Sequence, residues 1–238
     1  MDVLIIAPSA SRKLYQKLSQ NFSAKETNIW AGLLANAVRC KGMSVSIHDM
    51  EIDPDITDIA NYEARLILFV VTGQNPNAST ASMAGAVIAA EEVRELLPET
   101  KIAFVGPHVN ALPTTTLEKH KEIDIVLTNE GVYTLIEWLS SNLTNNDLKK
   151  IKGIAYRDSF GQIILNPAGK VVPQSRLEKD MPGIAYDLMP SLDKYRTSSW
   201  HANYIDEDRS PFASIYTSLG CIFKCEFCMI NIINREDN

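Results

Sequence analysis

Residues 66–73 read Leu66-Ile67-Leu68-Phe69-Val70-Val71-Thr72-Gly73, an unbroken apolar run between Arg65 and a Thr-Gly turn. A strand with one wet face alternates polar and apolar side chains, so a continuous run predicts a strand covered on both faces. Beyond it, Met83, Ala86, Val87, Ala90, Val93 and Leu97 recur at spacings of three and four before Pro98, the stripe of a helix packed on a sheet. The same alternation extends both ways. Toward the N-terminus, Val3–Ala7 is a short run ended by Pro8, and Val45–His48 is a further strand. Between them Ile29, Trp30, Leu33, Leu34, Ala37 and Val38 form a helical stripe stopped by Gly42. Toward the C-terminus, Ile102–Val105 and Ile123–Leu127 complete five strands, with Val132, Leu135, Ile136 and Leu139 as a helical face behind the last.

Strands that return parallel to a neighbour need crossovers of about a dozen residues or more, usually helical. The pattern therefore predicts an α/β domain over residues 1–147, a five-stranded doubly wound parallel sheet of the Rossmann or flavodoxin kind. Ligands of such sheets sit beyond the carboxyl ends of the strands. Those ends are the loops Ala7–Ala10, Thr72–Asn77, Gly106–Asn110 and Thr128–Gly131, whose Gly, Ser, Thr and Asn content is by itself ordinary turn chemistry. Residues 148–211 read as a connector. It holds a hairpin, Ile151–Arg157 and Gln162–Leu165 joined through Asp158-Ser159-Phe160-Gly161, and is then interrupted by Pro167, Pro173, Pro182, Pro190 and Pro211. Phe212–Ser218 reads as one more strand, opening a third segment, residues 212–238.

Composition limits the function classes. With 23 Lys+Arg against 29 Asp+Glu the net charge is -6, and 45% of the 238 residues are hydrophobic, which excludes a disordered chain and a nucleic-acid wrapper. The longest apolar runs, Leu66–Val71 and Ala84–Ala90, fall far short of the roughly 20 residues that cross a bilayer, so no membrane span is expected. The opening Met1-Asp2-Val3 has an acid where a secretory signal carries basic residues, and a cytoplasmic protein is expected.

Three of the four cysteines, Cys221, Cys225 and Cys228, fall within eight residues. In a reducing compartment such clustering reads as metal ligation or redox chemistry. Structural zinc takes four ligands, so a zinc module would need His201 or Cys40 as the fourth, for which there is no regular spacing. An iron–sulfur cubane on three thiolates leaves one iron open to a further ligand. Gly220 permits a sharp turn, and Phe227 sets an aromatic ring beside the last cysteine. The stretch Ser218-Leu219-Gly220-Cys221-Ile222-Phe223-Lys224-Cys225-Glu226-Phe227-Cys228 resembles the signature loop of the radical S-adenosylmethionine enzymes. The resemblance implies that Cys221, Cys225 and Cys228 hold a [4Fe-4S] cluster whose fourth iron is chelated by S-adenosylmethionine. It also implies that Phe227 lies beside the adenine, and that an electron donor reduces the cluster to cleave the sulfonium into a 5'-deoxyadenosyl radical.

The upstream half is similar to the cobalamin-binding domain that precedes the radical barrel in one branch of that family. The likeness rests on Val105-Gly106-Pro107-His108, Asn129-Glu130-Gly131, Ile151-Lys152-Gly153-Ile154-Ala155-Tyr156-Arg157, Met189-Pro190 and Tyr195-Arg196. It implies cobalamin contacts from Ser9, Thr72, Gly73, Gly106, His108, Glu130 and Gly131, although His108 reads equally as a satisfied loop histidine. Two departures matter. Ile222 stands where many members have proline, and Pro8-Ser9-Ala10-Ser11-Arg12-Lys13 has no histidine to ligate cobalt, which implies cobalamin without a histidine ligand or no cobalamin. With only ten residues after Cys228, a truncated radical barrel is expected. The expected activity is methyl transfer or cyclisation on a small molecule that the sequence does not name, with no catalytic residue assigned. The alternative is a cobalamin- or zinc-binding module without catalysis. Among the remaining residues, Cys40 reads as core packing, His48 and His120 as surface or capping residues, Asp49–Asp58 as a solvated loop, and Trp200 and His201 as a cover for the cofactor face.

Overall fold

A computed structural model describes residues 1–9, 22–73, 79–223, 225–228 and 230–233. Parts of the expected site, residues 10–13, residues 74–77 and Lys224, lie outside the described residues. The chain forms a seven-stranded sheet in the order β2-β1-β3-β4-β5-β6-β7. The strands are β1 (Val3–Ala7), β2 (Val45–Asp49), β3 (Leu66–Val70), β4 (Lys101–Val105), β5 (Ile125–Leu127), β6 (Ile154–Arg157) and β7 (Ile163–Leu165). The first five pair in parallel, in the doubly wound order expected. The last two add antiparallel, Leu127 opposite Ile154 and Tyr156 opposite Ile164. The sheet is thus mixed, a correction to the purely parallel expectation: the connector hairpin extends the same sheet. Asp158 and Gly161 close the hairpin, with Gly161 at φ +79°.

Helices α1 (Ile29–Arg39), α2 (Ser79–Leu96), α3 (Pro107–Ala111), α4 (Pro113–Lys119) and α5 (Val132–Leu139) carry the crossovers. One-turn helices α6 (Asn145–Leu148), α7 (Leu177–Asp180) and α8 (Ile230–Ile233) follow. Two cores result. Val3, Ile5, Leu66, Leu68 and Val70 pack with α1 and α5, whereas Leu4, Ile6, Ile67 and Phe69 point to the other face and pack with α2. Because alternate residues feed opposite cores, β1 and β3 show no polar alternation, whereas the edge strand β2 keeps it. Among the described residues no helix is long and apolar enough to cross a membrane.

Residues 170–214 run as a strap across the α1 face, burying Val172, Met181, Ala185 and Met189 in the α1–α5 core. Gly32 permits this approach: a Cβ there would lie 2.5 Å from Ile184 Cγ2 and 2.7 Å from Met189 Cε. The Ala185 N–H donates to Gly32 O at 3.2 Å and Asn36 Nδ2 to Gly183 O at 3.1 Å. The buried Asp180 carboxylate accepts from Arg176, Lys41 and the Tyr133 hydroxyl, which together hold it well below the usual carboxylate range. Two further expectations are corrected. Phe212–Ser218 is not a strand: Phe212 N–H goes to Leu192 O and Ser214 N–H to the Thr27 hydroxyl, so its backbone has no neighbouring strand to form a ladder. Cys40 is exposed, because it caps α1 beyond the buried face that ends at Ala37 and Val38.

Candidate functional site

A cavity of about 200 Å³ opens at the carboxyl ends of the parallel strands. Thr72 and Gly73 follow β3, Gly106 and Pro107 follow β4, Asn129 follows β5, and Trp30 comes from the first turn of α1. The strand order reverses between β1 and β3, and the cavity lies to the β3 side of that switch point, lined by the loops after β3, β4 and β5 and, among the described residues, by none from the loop after β1. The opposite wall is formed by the returning chain, Tyr216, Ser218, Leu219 and Gly220, and by Ile230 and Ile233 of α8.

The sheet side is held by unusual backbone and by hydrogen bonds. Gly106 sits at φ +144°, and a Cβ there would meet Val71 O at 2.1 Å, so only glycine lets the β3 and β4 loops close up. Asn28 caps α1 through Ala31 N–H and donates from Nδ2 to Val70 O at 3.0 Å, while the Thr72 hydroxyl donates to Asn28 Oδ1 at 3.1 Å. Trp30 Nε1 donates to Glu130 O at 3.2 Å, fixing the indole against the cavity. Asn129, left-handed at φ +58°, donates its N–H to Asn110 Oδ1 at 2.8 Å and its Nδ2 to Gly169 O at 2.7 Å. Asn129 Oδ1 and Asn110 Nδ2 are then a buried acceptor and a buried donor with no partner among the described residues. Such orphans are rare in folded proteins and mark places where water or a ligand completes the set.

The expected cofactor residues divide. Thr72, Gly73 and Gly106 line the cavity. Gly131 lies behind it at φ +76°, opening α5 with Val105 Cγ2 2.9 Å from where a Cβ would stand. Glu130 turns away, its carboxylate accepting the Val172 N–H, and so holds the strap. Ser9 donates to Glu51 Oε2 at 2.6 Å. His108, on α3, has Nδ1 3.0 Å from the Thr80 hydroxyl, and burial, then His120 and Lys119, lower its pKa. These three are outside the cavity wall as described. Trp200 and His201 stack on each other with centroids 4.2 Å apart, likewise outside it. Trp30 and Tyr216, which do line it, were not singled out from the sequence.

Cys221 and Cys225 are exposed and Cys228 half-buried, on a stretch whose backbone forms one turn, Cys228 N–H to Cys225 O at 3.1 Å. Phe227 is 91% exposed. Among the described residues no three His, Cys, Asp or Glu side chains converge on a metal-sized point. The donor set suits an iron–sulfur cluster in kind, but the loop does not present it gathered, for iron or for zinc with His201 or Cys40. Cobalamin fares better: the cavity lies at the carboxyl ends of the strands, has one apolar wall, and is lined by Asn129, whose Oδ1 is a buried acceptor without a partner among the described residues. At about 200 Å³ it takes only part of so large a cofactor, since ordinary small-molecule sites run to ~300–1,000 Å³.

The B12 binding domain family matches residues 17–139, just over half of the chain. An uncharacterized methyltransferase of Pyrococcus horikoshii is 29% identical over 151 residues, 63% of this chain and 30% of its own length. The cytidylyl-2-hydroxyethylphosphonate methyltransferase of Streptomyces wedmorensis is 26% identical over 146 residues, 55% of this chain and 27% of its own. The chain therefore spans less than a third of the length of these relatives. Among solved structures, the cobalamin-dependent S-adenosylmethionine radical enzyme OxsB with aqua-cobalamin bound superposes with TM-score 0.53 at 21% identity, over 79% of this chain and 24% of that one. At that identity the likeness is one of fold.

Proposed function

The chain belongs to the B12 binding domain family, and from that premise we propose that it holds cobalamin at the carboxyl ends of β3, β4 and β5 as part of a cobalamin-dependent radical S-adenosylmethionine methyltransferase. The observation that carries the reading is the cavity itself, placed at the carboxyl ends of the parallel strands and walled by Gly106, Thr72 and Asn129. When bound, cobalamin supplies a cobalt centre that accepts and donates a methyl group. The protein's part is to bind and orient. Trp30 offers an indole fixed by Glu130 O, Thr72 is fixed by Asn28, and Asn129, which lines the cavity, has in Oδ1 a buried acceptor that an amide N–H on the rim of a corrin would satisfy. Among the described residues no histidine lines the cavity.

The reading extends to the C-terminal loop. Cys221, Cys225 and Cys228 would hold a [4Fe-4S] cluster with Phe227 near S-adenosylmethionine, for reductive cleavage with methyl transfer or cyclisation on a small molecule. Support comes from the cysteine spacing and from the three free thiols on one accessible loop.

Hydroxocobalamin titration followed by gel filtration tests the first part: one corrin retained per chain is expected, and a colourless protein fraction refutes it. Anaerobic reconstitution with iron and sulfide tests the second, with about four irons per chain expected. Zinc in stoichiometric amount without sulfide would replace it with the zinc-module reading.

A further inference from the structure

Half of the cavity wall does not belong to the sheet. Tyr216, Ser218, Leu219 and Gly220 stand across from Thr72 and Gly106 on a segment with no ladder of its own. Its position has to come from somewhere. Among the described residues, the nearest tertiary hydrogen bonds converge on Ser214, two residues before the wall begins. The Tyr186 hydroxyl donates to Ser214 O, and Ser214 N–H reaches the Thr27 hydroxyl at 3.5 Å. Both partners are themselves fixed by α1. Thr27 is buried and immediately precedes Asn28, the α1 cap that holds Thr72; three residues on is Trp30, on the cavity wall. Tyr186 follows Ala185, whose N–H donates to Gly32 O in α1. The start of α1 therefore holds the sheet side of the cavity through Asn28, and α1 reaches the far wall through the two side chains at Ser214, with Leu219 packing on the core beside them.

We propose that Tyr186 and Thr27 are positioning residues of the cofactor site: by clasping Ser214 they set the wall Tyr216–Gly220 against the sheet loops and govern how long cobalamin stays bound. The inference rests on the cobalamin reading. The two residues act on retention because the wall they hold is a barrier to departure, whereas the sheet loops that receive the cofactor stay in place without them.

The test uses Tyr186→Phe, which keeps the ring and removes one hydroxyl, with Thr27→Val as a second, independent variant. Arg39→Met is the control, since it removes the exposed ion pair beside Tyr186 and leaves the Ser214 bonds intact. Hydroxocobalamin is loaded and its release followed against an apoprotein trap. Losing one hydrogen bond predicts release about 3- to 10-fold faster in Tyr186→Phe and in Thr27→Val, with Arg39→Met at the wild-type rate. A second readout needs no cofactor: amide hydrogen exchange over residues 216–220 of the apoprotein should quicken in the two clasp variants while exchange in β1 and β3 stays unchanged. A merely structural effect would speed exchange throughout. Unchanged release and unchanged exchange in both variants overturn the proposal. A wild-type chain that retains no cobalamin refutes the cofactor reading instead, and the clasp as a cofactor device falls with it; faster exchange over 216–220 would then show only that the clasp orders the wall.

Discussion

Asp49 closes β2 with its carboxylate almost fully buried, accepting the Tyr195 O–H at 2.6 Å on Oδ2 and the Glu51 N–H at 3.0 Å on Oδ1. Those bonds favour the charged form, but burial outweighs them and pushes the pKa from 3.8 up to about 6, with Glu51 adding to the rise and Lys25 opposing it. A carboxyl that binds its proton more tightly folded than unfolded makes unfolding free energy fall as pH climbs from the lower pKa to the higher. Between about pH 4 and pH 6 that amounts to roughly 3 kcal/mol, at about 1.36 kcal/mol per pH unit. Asp49→Asn has no proton to lose. It keeps a carbonyl for the Glu51 N–H and turns an amide toward the Tyr195 oxygen. Urea unfolding of both proteins in half-unit steps from pH 4 to pH 8 isolates the effect, since other carboxyl groups titrate alike and cancel in the difference. The stability of the Asp49→Asn variant minus that of wild type should rise by about 3 kcal/mol across the window and then level off. Parallel pH profiles, with a difference constant to within ~0.5 kcal/mol, would refute the claim that an uncompensated charge is buried at the end of β2.

Gly106→Ala places a Cβ on Val71 O in a backbone region that L-residues avoid, and should cost about 3 kcal/mol or more, read as a lowered urea midpoint; a loss under about 1 kcal/mol would mean the loops can part easily. Gly32→Ala puts its methyl 2.5 Å from Ile184 Cγ2, 2.7 Å from the flexible end of Met189 and 3.4 Å from the Ala185 backbone N, so the strap must shift and a loss of about 1–3 kcal/mol is expected, with protease cutting in residues 181–190 as the accompanying sign of a lifted strap. Replacing Cys221, Cys225 and Cys228 together by alanine should abolish iron uptake and leave cobalamin retention and thermal midpoint at wild-type values. Iron retained by that triple variant would assign the metal elsewhere.

Four of the parallel strands, β1, β3, β4 and β5, were legible as short runs apolar on both faces, whereas β2 at the sheet edge was legible by its alternation, Val45 and Ile47 against Ser46 and His48. Val3–Ala7 is read at its structural bounds. The hairpin was legible too, since Asp158-Ser159-Phe160-Gly161 is a local turn signal, but its attachment to β5 was not: the pairing of Leu127 with Ile154 is a long-range event with no local signature. Helices α3 and α4 were missed although Pro107 and Pro113 occupy the first helical turn, where proline is favoured. Apolar residues in Phe212–Ser218 suggested a strand, yet a strand exists only where a neighbour accepts its hydrogen bonds. The rule that ligands sit beyond the strand ends picks out the loops of Thr72, Gly73 and Gly106, which do line the cavity, because it fixes which loops meet. It does not tell which way a side chain points, and the Glu130 carboxylate turns to the Val172 N–H, away from the cavity wall. Trp30 was absorbed into a helical stripe, although it is the member of that stripe nearest the strand ends.

The cysteine segment shows the same division between what spacing fixes and what the fold fixes. Three thiols in eight residues make the spacing of a ligand set, and for the proposed cluster to form they would have to converge, a loop ordering that metal binding would supply the free energy for. What the fold fixes is where the loop begins and returns. Gly220 immediately precedes Cys221 and lines the cavity, and Ile230, two residues past Cys228, lines it again. Both ends are therefore held on one wall, so closing the loop about a metal demands less ordering than in a chain with free ends. On the proposed reading, a group held by the cysteines would lie next to the cavity, and the clasp at Ser214 would act on both by placing the stretch of wall from which the cysteine loop departs.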